Sequence, residues 1–195
     1  MIRKVLIFKL FAAALLGFFL LWPDKETLPE LGNISEETLE SIDGQRYSLH
    51  DPSIKLVVFF YSQCPDICPM TLFDLEQVKE ELEKRQLFEE KVKFLNITLD
   101  PEVDTVQRLK EYAQSFGIDN ERWLMLRTDL STTEKVADEF NMVYKKESSG
   151  FVTHSTTMYL LDAENNIRAY HDMAVGDKRV NIDKIVEHIE ILASE

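Results

Sequence analysis

Leu56-Val-Val-Phe-Phe-Tyr61-Ser-Gln-Cys64-Pro-Asp-Ile-Cys68-Pro69 is the stretch on which the reading of this chain turns. Its first six residues are a continuous apolar run, the pattern of a strand buried on both faces. From Pro69 to Leu87 the apolar residues Leu72, Leu75, Val78 and Leu82 recur at helical spacing. The stretch therefore predicts a strand that runs into a helix, with both cysteines of the chain at the junction. In open α/β sheets that junction is where ligands bind.

Cys64 and Cys68 are four residues apart, one helical turn, so their side chains can share a face. The unpaired N–H groups and dipole of a helix N-terminus favour thiolate over thiol. Pro65 and Pro69 suit first-turn positions. Two neighbouring thiolates are good ligands for Cu(I) and acceptable ones for Zn(II). They can also close to a disulfide. A disulfide across a single turn closes a very short loop and is a poor staple, so the pair reads as functional rather than structural. The spacing alone leaves metal binding and redox chemistry both open. A third ligand would separate them, and the chain offers four histidines. His154 lies at the start of a strand expected within Val152–Asp162, where one sheet can carry it to the cysteines; a ligand role and a hydrogen-bonded surface role are both open for it. His50, His171 and His188 read as surface or hydrogen-bonded residues.

The rest of the chain supplies the layers of an α/β domain. Asp43-Gly44 within Leu39–Leu49 suggests a hairpin. Val92–Leu99 reads as a strand, and Thr105–Phe116 as a helix through Val106, Leu109, Tyr112 and Phe116. Ser131–Phe140 reads as a helix capped by Ser131 with Glu134 three residues on. Thr156–Leu161 and Ile167–Asp172 read as strands around a turn, and Val180–Leu192 as a closing helix. Early βαβ alternation predicts a parallel pair, and the adjacent late strands an antiparallel addition. The expected architecture is α/β: a thioredoxin-like central mixed β-sheet flanked by helices.

Val5–Trp22 is an apolar run broken only by Lys9 and Gly17. As a helix it would be about 27 Å long, enough for a bilayer core. Arg3, Lys4 and Lys9 precede or enter it, whereas Pro23, Asp24 and Glu26 follow it. The positive-inside rule then keeps residues 1–4 in the cytoplasm and places the rest on the extracytoplasmic side. The small residues Ala12–Ala14 fall inside the run rather than after it, which favours an anchor over 5–22 against a cleaved signal. Residues 23–38 read as a tether and 39–195 as the domain. Removing the first 22 residues removes three basic residues and no acidic ones, so 19 basic against 35 acidic residues remain, a net charge of −16. Nucleic-acid binding through phosphate neutralisation is excluded on that balance.

Four segments, in order, resemble the Sco (SenC) family of thioredoxin-like copper proteins. Cys64-Pro-Asp-Ile-Cys68-Pro69 is similar to its C-P-x-x-C-P motif. Leu99-Asp-Pro-Glu-Val-Asp-Thr105 and the helix after it are similar to its D-P-x-x-D-T segment. Val143-Tyr-Lys-Lys resembles the stretch before its histidine hairpin, and Thr153-His-Ser-Thr-Thr-Met-Tyr-Leu its H-S-x-x-x-Y-L segment. The resemblance covers roughly residues 40 to 192. It implies copper held by Cys64, Cys68 and His154. It also implies a role in delivering copper to the copper A subunit of cytochrome c oxidase, or in keeping that site's cysteines reduced, from an inner membrane. The usual Gly-Lys before the first long strand is here Pro52-Ser-Ile-Lys55, and the common L-T-G is Leu126-Arg-Thr-Asp129.

Two thiolates and a neutral imidazole suit Cu(I), whereas Cu(II) wants a fourth donor. Asp100 and Asp104 follow a strand expected to end at the same edge of the sheet and could serve, but as residues before a helix they read as N-caps. Met70 and Met158 read as core filling. A thiol-disulfide oxidoreductase working through Cys64 and Cys68 is the alternative function. A thiol peroxidase would need a basic neighbour that Ser62, Gln63 and Asp66 do not provide, and a closed zinc site would need a fourth protein ligand.

Overall fold

The computed structural model describes residues 26–195. The cytoplasmic terminus expected over 1–4 and the anchor expected over 5–22 lie outside the described residues. Among the described residues no helix is long and apolar enough to cross a membrane.

The chain-order elements are β1 (Gly32–Asn33), β2 (Thr38–Ser41), β3 (Arg46–Ser48), β4 (Ile54–Phe60), α1 (Ile67–Lys84), α2 (Leu87–Glu90) and β5 (Val92–Thr98). They continue with α3 (Val106–Ser115), β6 (Trp123–Arg127), α4 (Leu130–Glu139), β7 (Tyr144–Lys146), β8 (Val152–His154), β9 (Thr157–Leu161), β10 (Asn166–Asp172) and α5 (Ile182–Ser194). Eight strands form one mixed sheet in the order β1-β10-β9-β4-β5-β6-β2-β3, and β7 pairs with β8 in a separate two-stranded sheet.

All seven residues of β4 are buried, because it is parallel to β5 on one side, antiparallel to β9 on the other, and covered on both faces. Successive strand residues point to opposite faces. Phe59 accordingly meets Phe140 of the α4 end and Tyr159, at ring-centroid distances of 5.3 and 6.0 Å, while Phe60 stacks on Tyr112 of α3 at 5.6 Å. Helices therefore flank both faces of the mixed sheet, as expected for a thioredoxin-like layout. The predicted hairpin is present: β2 and β3 pair from Thr38–Ser48 to Glu40–Arg46, with Gly44 taking the positive φ its turn needs.

Several expectations are corrected. Trp123–Arg127 forms β6, parallel to β5, where the sequence reading placed no strand. Its Leu-Met-Leu core is as helix-friendly as it is strand-friendly, and the run is too short for periodicity to decide. Helix α4 begins at Leu130, with the Asp129 carboxylate accepting from the Thr132 N–H; Ser131 is inside the helix and not its cap. The segment read as a tether enters the sheet: Gly32 and Asn33 pair with Ile167 and Asn166, and Ile34 is fully buried. Helix α1 starts two residues earlier than Pro69, so Cys68 lies within its first turn.

Candidate metal and thiol site

Strand β4 ends at Phe60, and the chain turns through Ser62 and Gln63 before α1 begins at Ile67. Asp66 occupies the N-cap position, yet its side chain makes no capping hydrogen bond. A sulfur does that work: the Cys68 N–H donates to Cys64 Sγ at 3.4 Å. The free helix N–H groups of the first turn are thus turned on a thiol group. The Cys64 thiol is brought down to about 5, chiefly because the Cys68 thiol donates to it, with backbone N–H groups of Cys68 and Asp66 and the His154 ring adding to the effect against burial. Cys68 is 1% exposed, and its own thiol is pushed up by its bond to Cys64 and by burial. The pair is free of a disulfide, and the opposite shifts make Cys64 the readier thiolate of the two.

The third expected residue arrives by a different route from the one the sequence suggested. His154 does not begin a strand of the central sheet; it ends β8 of the small hairpin, paired in register with Tyr144 of β7. The imidazole Nδ1 lies 2.8 Å from the Ser155 carbonyl oxygen. A carbonyl only accepts, so Nδ1 carries the hydrogen, and the neutral form of the ring has its lone pair on Nε2. Nε2 faces Cys68 Sγ at 3.9 Å. Tyr61 closes the side of the site, its ring edge-on to His154 at 6.2 Å and to Phe151 at 6.1 Å. Burial and then the Cys64 charge push the Tyr61 phenol up to about 12. The structure therefore brings Cys64, Cys68 and His154 together. Among the described residues no three His, Cys, Asp or Glu side chains already form a closed metal-holding group. A soft cation binding here would take both cysteines as thiolates, with release of any proton they carry.

Asp100 and Asp104 are not the helix caps they were read to be. Thr105 caps α3, its hydroxyl accepting from the Arg108 N–H at 3.3 Å. Asp104 is fully buried beneath the cysteine loop, where its carboxylate accepts from the Ser62 N–H at 3.1 Å, from the Ser62 hydroxyl and from the Thr98 hydroxyl. It fixes the loop's path into Cys64. Asp100 is 2% exposed and accepts from the Lys146 ammonium at 2.7 Å, which ties β7, and with it the His154 hairpin, to the end of β5. Sequence reasoning missed both positioning roles. The signal was present in Asp104-Thr105: the hydroxyl nearer the helix is the better-placed cap, which frees the aspartate to turn inward.

The other expectations divide. Met158 is fully buried on β9, as core filling requires. His50 is exposed. His171 and His188 face each other at 5.0 Å between centroids and are not the surface or hydrogen-bonded residues expected: His171 Nε2 and His188 Nδ1 are buried without partners among the described residues.

The SCO1/SenC family model matches residues 39–190. The chain belongs to the SCO1/SenC family. The bovine mitochondrial SCO2 homolog is 31% identical over 144 residues, a match that covers 71% of this chain and 52% of the relative. The chain thus spans about half the length of that relative. Yeast Sco1, solved with copper bound, has a TM-score of 0.65 and 26% identity over 83% of this chain and 90% of its own. BsSco, described as a member of the Sco family of cytochrome c oxidase assembly proteins, has a TM-score of 0.74 with 21% identity, covering 87% of this chain and 99% of its own. At that identity the second likeness speaks to the fold.

Proposed function

We propose that this chain is a membrane-tethered copper carrier that loads one Cu(I) on Cys64, Cys68 and His154 and releases it to the copper A site of cytochrome c oxidase. The observation that carries the reading is the His154 ring, whose Nδ1 is committed to the Ser155 carbonyl while Nε2 points its lone pair at the cysteine pair. Two sulfurs and one imidazole nitrogen are a soft donor set suited to Cu(I). Copper is cargo here, so the residues must also let it go. Cys64 is partly exposed at the mouth and Cys68 is buried behind it, so an incoming thiolate reaches the metal from the Cys64 side. As Cu(I) binds, Cys68 loses its thiol proton, and as copper leaves, the proton returns. The apolar run over 5–22 would hold the domain at the extracytoplasmic face of an inner membrane, within reach of a membrane-bound partner.

The test is transfer. Copper-loaded full-length protein, in nonionic detergent, is mixed with a metal-free copper A domain, and copper is measured in each after separation. Copper moves to the partner from the unaltered chain. Copper that stays with the carrier when the partner is in excess contradicts the proposal.

A second reading, a thiol-disulfide reductase, is favoured by the unequal pair itself. The Cys64 thiolate attacks a partner disulfide to form a mixed disulfide and expels one partner thiolate. Cys68, losing its proton, then attacks Cys64 Sγ and expels the second. The partner gains two electrons and the chain ends as the Cys64–Cys68 disulfide. Each turn needs a thiol reductant to reopen that disulfide. Stoichiometric reduction of a copper A disulfide with no copper movement would select this reading.

A further inference from the structure

The hairpin that carries His154 has a second, unused edge. Among the described residues strand β7 pairs only with β8. The Ser155 N–H donates to the Val143 carbonyl and the Glu147 N–H to the Phe151 carbonyl, so residues 143 and 147 turn their backbone toward β8. Antiparallel ladders alternate. The backbone N–H and C=O groups of Tyr144 and Lys146 therefore point the other way, out of the sheet. Short edges with free groups of this kind are templates for another strand.

That edge is not bare surface but the wall of a groove of about 750 Å³, bounded opposite by α4 and at one end by the loop after β5. Its apolar lining includes Leu99, Leu130 and Met142, with Val143 76% exposed at the rim. Its charged lining is dominated by Asp100, Glu102, Glu134 and Asp138. The two β7 lysines are already committed, Lys146 to Asp100 and Glu102 and Lys145 to Glu147. Glu134 and Asp138 stand across the groove, exposed, and close enough to Tyr144 to raise its phenol behind the effect of burial. Asp100 adds to the acidic character of the groove. Asp100 is buried, its Oδ1 is taken by Lys146, and its Oδ2 has no hydrogen-bond partner among the described residues. Buried carboxylate oxygens without partners are costly, and Asp100 adds its negative charge to this end of the groove.

We propose that an extended, basic segment of a partner protein docks in this groove as a third strand on β7, with alternate side chains meeting the apolar floor and the carboxylates. The inference rests on the carrier reading only for its purpose: a partner strand on β7 lies one strand from His154, beside the metal donors. The occupant is basic because the groove's unpaired charges are acidic and the chain carries a net charge of −13. It is extended because the exposed groups form a strand edge.

The probe is a fluorescein-labelled six-residue peptide of alternating lysine and valine. It is titrated into full-length protein in nonionic detergent by fluorescence anisotropy, with hydrogen exchange followed by mass spectrometry. Saturable binding is expected, with slowed exchange over residues 143–147. Affinity is expected to fall at least about tenfold when the backbone amides along one edge of the peptide are N-methylated. A similar fall is expected in Glu134→Lys/Asp138→Lys, both exposed positions on a helix surface. The N-methylated peptide leaves the protein unaltered, so misfolding of the variant cannot mimic the result. Equal binding of the N-methylated peptide, or protection elsewhere, overturns the proposal. So does concentration-dependent protection of 143–147 without peptide, which would make a second copy of the chain the occupant. The same titration in Cys64→Ser/Cys68→Ser separates the two proposals: docking persists there if the groove is right, whether or not the chain carries copper.

Discussion

The two ends of the central strand pair β4–β9 use polar groups in opposite ways. At the end where β4 begins, the buried charges of Arg168, Asp162 and Lys55 are closed on the protein itself. Arg168, 7% exposed, donates to Asp162 at 3.0 Å, to Glu195 at 2.7 and 2.9 Å and to the Leu28 carbonyl. It pins the β9–β10 turn, the last residue of the chain and the segment before β1 together. Asp162 takes the Glu164 and Asn166 N–H groups as well. Fully buried Lys55 gives its ammonium to the Asp51 carbonyl at 2.6 Å, and burial holds it down to about 8. At the end where β4 finishes, groups are held in place but left with something to give: an acidified thiol on Cys64, the Nε2 edge of His154, an unpartnered Asp100 oxygen. Closed polar networks hold a fold; restrained but unsatisfied ones bind.

The sharpest way to break this contrast is at the closed end. Arg168→Ala leaves the Asp162 carboxylate buried without its charged partner and is expected to cost about 3 kcal/mol, read from urea denaturation. Copper affinity should be unchanged. A loss of copper binding in the folded variant would mean the two ends are coupled.

The second break compares the two kinds of imidazole. His154 is open to a ligand, whereas His171 is walled in, its ring held down to about 4 by burial and then by the neighbouring His188. Below about pH 6.5 the unfolded chain protonates residue 171 while the folded chain does not. The unfolded state then binds more protons, so stability rises with pH across this window and is lost as pH falls from about 6.5 toward 4. The loss should reach roughly 2–3 kcal/mol at the acid end relative to His171→Phe, in which this slope is absent. Equal pH slopes in the two proteins would contradict the buried neutral ring.

The smallest change sharpens the open end. Asp104→Asn keeps the shape but weakens the hold on Ser62 and Thr98, with an expected cost of about 1–2 kcal/mol in stability. Because Asp104 positions the loop into Cys64, copper affinity should fall about 10-fold or more, as when an outer partner of a ligand is altered. Affinity that tracks only the stability loss, and recovers fully at low temperature, would deny Asp104 a positioning role.

Much of this was legible in the chain. The apolar run Leu56–Tyr61 announces a doubly buried strand, and the helical spacing from Leu72 to Leu82 announces α1. Together they place the cysteines at a strand–helix junction. Strand β6 was hidden because Trp-Leu-Met-Leu has no period long enough to tell strand from helix. What the sequence could not show was how His154 arrives. It reaches the site on a two-stranded sheet held by the Lys146–Asp100 ion pair, a contact between residues 46 positions apart. Asp104 was misread for a related reason: local rules assign an aspartate before a helix to capping, whereas tertiary burial turned it under the cysteine loop.

The most direct test of the central claim is an anaerobic Cu(I) titration of the reduced full-length chain in nonionic detergent, against a competing chelator, with His154→Ala and His171→Phe in parallel. The account predicts one copper per chain, a drop in affinity of more than about 10-fold in His154→Ala, and no change in His171→Phe. One-to-one binding of equal strength in all three proteins would contradict it, leaving the cysteine pair to disulfide chemistry.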